Sequence, residues 1–296
     1  MKPITTTLKI ILLAAALAPA SALAAESAEA IMTKVDHAVR KSFTTQLAHV
    51  MFTTCKYLMV NGTATCSGPA RVVVAENAKK IEIVDGVYND ASLSIVRDPA
   101  GDRGTSLLIY EYGQRGKDND NWLYLPALAK VNRIIANEDE GGSVFGSEFS
   151  IETTENPEAR KIYDYTYRIV EETDYDERPV WVVELRPTAE KASKTRYEKV
   201  VTWIDKKTFL PLKEALYRNG KIHKLRTQSK LKQIDGVYVA TRVVMINRST
   251  NRISQMDKAQ MRHNVDIPDE FLTQRALTDF AFRDRYLSKF RDQLSK

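Results

Sequence analysis

Two cysteines, four histidines and a scatter of carboxylates are the residues of this chain that could do covalent, acid–base or metal chemistry. Their spacing argues against most of it. His37, His49, His223 and His263 lie far apart, and none belongs to an H-E-x-x-H pair or another metal-ligand spacing. There is no G-x-S-x-G elbow, P-loop or dinucleotide fingerprint. Asp118-Asn119-Asp120-Asn121 resembles the start of a calcium loop. Trp122 stands where a further ligand is needed, however, and no glycine follows, so the stretch reads as a solvated turn. Cys55 and Cys66 are not in a C-x-x-C arrangement, which weakens a redox role. The expectation is a chain with no catalytic residues, no metal and no cofactor.

The N-terminus says where such a chain works. Lys2 and Lys9 precede an apolar run, Ile10 to Leu17, that is too short to span a bilayer; Pro19 and small residues follow, ending in Ala22-Leu23-Ala24. Residues 1–24 therefore read as a secretory signal peptide. The first cysteine, Cys55, is far from the cleavage site, so a lipid anchor is not expected. Loss of the two lysines lowers the formal charge from +6 to +4. That mildly basic balance permits anionic headgroups or an acidic partner, and nucleic acid is a poor guess outside the cytoplasm.

In an oxidising compartment, two cysteines and no others favour a disulfide. The local pattern resists it. Asn61-Gly62 suggests a two-residue hairpin turn, which pairs Val60 with Thr63 and sets Tyr57, not Cys55, opposite Cys66. Direct opposition of the cysteines would need a four-residue loop, Met59 to Gly62, or a bulge. The Cys55–Cys66 disulfide is expected to win.

The elements that must position everything else are mostly strands. Glu26 to Lys41 is an exception: Ile31, Val35 and Val39 recur at i, i+4 and i+8, the stripe of an amphipathic helix that has to lie on something larger. Ile81 and Ile83 alternate with Glu82, and Leu108, Tyr110 and Tyr112 alternate with Ile109 and Glu111. Tyr163, Tyr165, Tyr167 and Ile169 share one face of a further strand. Strand patterns continue over Val180–Leu185, Lys199–Ile204, Leu212–Tyr217, Lys224–Gln233, Tyr238–Asn247 and Arg252–Arg262, with Asn219-Gly220 and Asp235-Gly236 at hairpin positions. No βαβ rhythm interrupts them. The implied fold class is mainly β (α+β): a single long antiparallel sheet, which must twist and curl into a half-open barrel. Few helices are available to cover it: the first one, a short one near Pro126 to Ile135, and a basic amphipathic tail over 279–296.

The most informative stretch runs from Trp122 to Phe149. An aromatic strand, Trp122-Leu123-Tyr124-Leu125, stops at Pro126; Lys130 and Arg133 follow, then the acidic Glu138, Asp139 and Glu140, then a glycine-punctuated turn carrying Phe145 and Phe149. Together with Trp203-Ile204-Asp205-Lys206-Lys207-Thr208-Phe209-Leu210-Pro211-Leu212-Lys213 and Ile234-Asp235-Gly236-Val237-Tyr238-Val239, this pattern resembles the periplasmic outer-membrane lipoprotein-sorting proteins, relatives of the lipoprotein carriers LolA and LolB. The resemblance spans most of the mature chain and fades near Leu277. It implies a carrier-like half-barrel over 25–278, a periplasmic address and a ligand made of lipid or lipoprotein acyl chains. It also implies an inner-membrane RND/MMPL-type transporter as a possible partner.

The leading expectation is thus a carrier that shields acyl chains in an apolar cavity for transfer toward the outer membrane, with Trp122, Tyr124, Phe145, Phe149 and Trp203 on or near the cavity wall. The alternative is an adaptor of the same fold that docks to a transporter. An open apolar hollow favours the first, a packed interior the second.

Overall fold

The computed structural model describes residues 26–134 and 142–295. The expected signal peptide and the acidic residues Glu138, Asp139 and Glu140 lie outside them. Fourteen strands form one antiparallel sheet. The first seven are β1 (Thr45–Val60), β2 (Thr63–Cys66), β3 (Arg71–Val84), β4 (Val87–Asp98), β5 (Ser106–Tyr112), β6 (Asp120–Leu125) and β7 (Lys130–Ile134). The rest are β8 (Tyr165–Tyr175), β9 (Arg178–Pro187), β10 (Lys199–Asp205), β11 (Pro211–Arg218), β12 (Lys221–Ile234), β13 (Val237–Asn247) and β14 (Arg252–His263). Helices α1 (Ala28–Asp36), α2 (Ala189–Ala192), α3 (Arg275–Thr278) and α4 (Phe280–Leu294) complete the regular elements used below.

The strand order is β7-β6-β5-β4-β3-β1-β14-β13-β12-β11-β10-β9-β8, with β2 paired to β1 alone. Each half is a run of hairpins, and the halves join where β1 lies beside β14. Asn61-Gly62, Asp85-Gly86, Asn219-Gly220 and Asp235-Gly236 all turn with positive φ at both residues. That geometry matches the right-handed twist of the strands they join. The expected fold class is the one observed: mainly β, one antiparallel sheet, not closed.

This order has a consequence for the interior. Strands β7 and β8 are consecutive in the chain yet sit at opposite edges of the sheet. The chain between them must travel the full width, and residues 142–164 do so across the concave side. There Arg160 meets Glu214 of β11, Lys224 of β12 meets Glu155, and the Glu148 amide donates to Ser254 of β14. The sheet edges also approach one another through their loops, where Tyr163 donates to the Gly113 carbonyl at 2.7 Å and Lys194 pairs with Asp118 at 2.7 Å.

The outer side of the N-terminal half is covered by the C-terminus. Phe271, Leu277, Phe282, Leu287 and Phe290 bury against Leu47, Leu93 and Leu108. Asp279 caps α4 by accepting from the Phe282 amide at 3.0 Å. Arg291 then grips Glu76 of β3 with two hydrogen bonds, 2.6 and 2.8 Å.

One expected element is different. The short helix near Pro126 to Ile135 is a 3-10 turn over Pro126–Leu128 followed by β7. Ala129 takes a left-handed φ of 47°, which reverses the chain so that Lys130–Ile134 pairs back on β6; Ile135 lies outside the described residues. Among the described residues no helix is long and apolar enough to cross a membrane.

Candidate functional site

The concave face has an apolar zone and an ionic one. In the apolar zone α1 lies in a trough. Ser27 caps the helix, accepting from the Ala30 amide at 3.2 Å. One helical face, Ala28, Ile31, Met32 and Val35, is buried against Tyr165, Val183, Leu185, Val200, Ile204 and Leu216. Strand pairing places Leu185, Val200 and Leu216 side by side, so this floor is a continuous stripe across β9, β10 and β11. Burial of each larger helix side chain contributes about 1.5–3 kcal/mol. Polar ties of the helix are few: Lys34 pairs with Glu26 and lies over the Phe209 ring, and Asp36 pairs with Lys41 and Arg40 of the turn that follows, where Arg40 also donates to the Arg160 carbonyl at 3.0 Å. A wider helical turn, His37–Lys41, links the helix to β1.

The ionic zone is built by residues 142–164 against the sheet. Glu214 is fully buried between Arg160, at 2.6 Å, and Arg226, at 3.0 Å. Burial alone would raise the Glu214 carboxyl, but the two guanidinium groups hold it below the usual range. Lys224 bonds Glu155 at 2.9 Å and the Glu148 carbonyl at 2.7 Å, and Tyr197 donates to Glu155 at 2.5 Å. Arg196 meets Glu152 at 2.7 Å. Glu158 lies 3.9 Å from both Lys79 and Lys258; those cations and Arg226 outweigh its burial and keep it ionised. Lys79 in turn pairs with Asp90 at 3.0 Å. Glu111 is the exception. Burial pushes its carboxyl up to about 8, opposed by Lys79 and reinforced by Asp90.

These groups are chiefly partners for one another. Their arrangement holds the crossing chain in the mouth of the sheet. The expected open apolar hollow is absent from the described residues, because α1 and residues 142–164 occupy it. The void left beside α1 is about 20 Å³ and one beside the His37–Lys41 turn is about 30 Å³, room for a water molecule rather than an acyl chain. Two larger recesses lie at the periphery. One of about 300 Å³ is polar, lined by Lys117, Asp118, Lys161, Lys191 and Lys194. The other, about 330 Å³, lies beside Tyr110, Tyr112 and Asp269.

A family model described as "Uncharacterized protein" matches residues 88–279, more than half of the chain. The chain belongs to this family. No curated relative matches the sequence at a significant level. Among solved structures it is similar to a DUF1329 family protein from Desulfovibrio piger, at 22% identity and TM-score 0.73, covering 84% of this chain and 97% of the other. It is similar to a domain named for outer membrane lipoprotein sorting from Vibrio parahaemolyticus, at 24% identity and TM-score 0.68, covering 83% and 97%. It is also similar to a LolA superfamily protein from Nitrosomonas europaea, at 18% identity and TM-score 0.58, covering 84% and 98%. The fold is therefore LolA-like, as the sequence resemblance implies.

Within that fold the five expected wall residues fall in three places. Phe145 and Phe149 come together on the concave side, both edge-on to Phe52 at 6.1 and 6.0 Å. Trp122 and Tyr124 share the face of Leu108 and lie beneath the C-terminal segment, where Trp122 meets Tyr110 and Tyr124 meets Phe280. Trp203 is on the outer face of the other half, packed with Val180, Val182 and Leu212 under the Lys213 ammonium. Alternation explains the split: Thr202 shares the concave face with Glu214, so its neighbour Trp203 points away. One wall made of all five is not formed. The expected disulfide is present, with Cα atoms 5.7 Å apart. Sequence reading missed the trough floor and the buried ions. The available signal was charge at core parity: Glu214 shares a face with Leu216.

Proposed function

We propose that the chain is a periplasmic carrier of acylated cargo, lipid or lipoprotein, in which α1 occupies the trough that acyl chains would take. One observation supports this most: an N-terminal helix buries a single apolar face in a continuous apolar stripe on the concave side, with few polar ties. A helix so held can leave as a unit. An acyl chain replacing it regains about 0.8 kcal/mol per buried CH₂. Phe52, Phe145 and Phe149 form a second apolar patch on the same side, and Phe145 and Phe149 are the expected wall residues kept in this reading. The lipoprotein-sorting name of the Vibrio parahaemolyticus domain supports the cargo class, and the disulfide supports an oxidising compartment.

The test is binding of a fluorescent fatty-acyl probe by the mature chain and by a form lacking residues 26–36. Helix and probe compete for one floor, so the shortened form should bind the probe more tightly. Native mass spectrometry of the mature chain from cells should show lipid adducts. No adduct, and no uptake by either form, would sink the carrier.

The filled interior favours a second reading, an adaptor of the same fold that docks to an RND/MMPL-type transporter. In that case the shortened form takes up no probe, while the intact chain is retained by the purified transporter.

A further inference from the structure

Residues 57–70 contain no charged side chain, in a chain that is 28% charged, and Lys56 and Arg71 bracket them. They form the end of β1, all of β2 and the loop to β3. Because β2 pairs with β1 alone, this ribbon extends past the rest of the sheet. Its apolar side chains cover nothing: Leu58, Met59 and Val60 are 63%, 60% and 52% exposed. A free two-stranded ribbon is marginal in water, and here the Cys55–Cys66 bond clamps its foot. Exposed ribbons ordinarily carry charge to stay soluble; this one carries none.

The surroundings are cationic. Tyr57 donates its amide to the Asn251 carbonyl at 3.0 Å, tying the β13–β14 turn to the ribbon. Lys56 and, in that turn, Arg248 are exposed, and neither has a carboxylate partner among the described residues. Arg252, opposite Lys56, pairs with Glu148 at 3.1 Å. The nearby carboxylates Asp98 and Asp102 are taken by Arg103 and Arg71. Farther along the same strand ends, exposed Arg218 and Lys221 flank the Asn219-Gly220 turn, where Glu198 accepts from the Gly220 amide.

We propose that this ribbon is a membrane-surface anchor. Leu58, Met59 and Val60 enter the boundary between headgroups and acyl chains of an anionic bilayer, while Lys56 and Arg248 meet the headgroups. Apolar area and basic charge together set such binding, and three side chains with two cations make it reversible. The proposal does not depend on cargo being carried.

Vesicle co-sedimentation of the mature chain tests it, with phosphatidylglycerol-containing and pure phosphatidylcholine vesicles. The chain should bind the anionic vesicles and bind the neutral ones weakly. Leu58→Asp with Met59→Asp should weaken binding by at least about tenfold, and Lys56→Glu with Arg248→Glu should remove the preference for anionic lipid. All four side chains are exposed, so thermal midpoints and acyl-probe uptake should not change. In Met59→Trp, emission should shift to the blue on adding anionic vesicles. Three outcomes would overturn the anchor: no vesicle binding by the unsubstituted chain, equal binding by the Leu58→Asp/Met59→Asp variant, or self-association through the ribbon in place of vesicle binding.

Discussion

Glu214 shows what a single residue does in this interior. It lies in a strand whose pattern reads as half-buried, yet it is completely covered and held by two arginines, one from β12 and one from the crossing chain. Replacing it with leucine would leave Arg160 and Arg226 facing each other without the carboxylate they share. The expected cost is about 3–5 kcal/mol, read as a lower urea midpoint for Glu214→Leu. An unfolding free energy within about 0.5 kcal/mol of the parent would mean that water reaches this cluster. The charge of Glu214 was legible in the sequence. Its partner Arg160 was not, because 54 residues separate them and no local pattern encodes the crossing.

At the scale of elements, the β1–β2 ribbon reconciles two expectations that conflicted. Val60 pairs with Thr63 and Tyr57 with Cys66, as a two-residue Asn-Gly turn demands. The disulfide forms all the same. Cys55 lies two residues below Tyr57 on the same side, and the bond runs diagonally across the foot of the ribbon; neither a longer loop nor a bulge is needed. The ribbon has few contacts with the rest of the molecule, so the bond acts locally. In Cys55→Ser with Cys66→Ser, hydrogen exchange and protease cleavage should accelerate over residues 56–70 while global stability changes by only about 1 kcal/mol. Global unfolding in that variant would show that the ribbon is structural. Helix α1 makes a different point: its stripe was plain from periodicity, but a packing helix and an occupant of a ligand trough have the same pattern.

Across the whole molecule, two carboxylates set opposite limits on stability. Glu76, beneath α4, is lowered to about 2: burial opposes ionisation, but His49, Arg291 and Arg97 prevail. Its contribution is complete above about 4.5 and is lost as pH falls toward 2. Solvent at Arg291 screens it to roughly 1–2 kcal/mol. Glu111 is raised by burial to about 8, so the folded chain holds its proton more tightly than the unfolded one. Its contribution is present below about 4.5 and declines as pH rises through about 8. Thermal midpoints measured from pH 2.5 to 9 should therefore fall on both sides. Glu76→Gln should flatten the acid limb and Glu111→Gln the alkaline one. An unchanged alkaline limb in Glu111→Gln would place that carboxyl in contact with water. Long-range strand order decides both settings: Glu76 of β3 meets Arg291 of α4 on the outer side, and Glu111 of β5 lies by Lys79 and Asp90 on the other.

Alternation and turn chemistry are local properties, written within a few residues, and they were sufficient for the strand series, the hairpins, the first helix and the fold class. Filling of the hollow is not local. It depends on where the chain between the two edge strands runs and on which helix reaches the floor, and both follow from long-range strand order. The same limit governs the aromatics. Trp122, Tyr124 and Trp203 could be recognised as buried or half-buried, but the side of the sheet each one faces was decided by register against neighbours more than ten residues away.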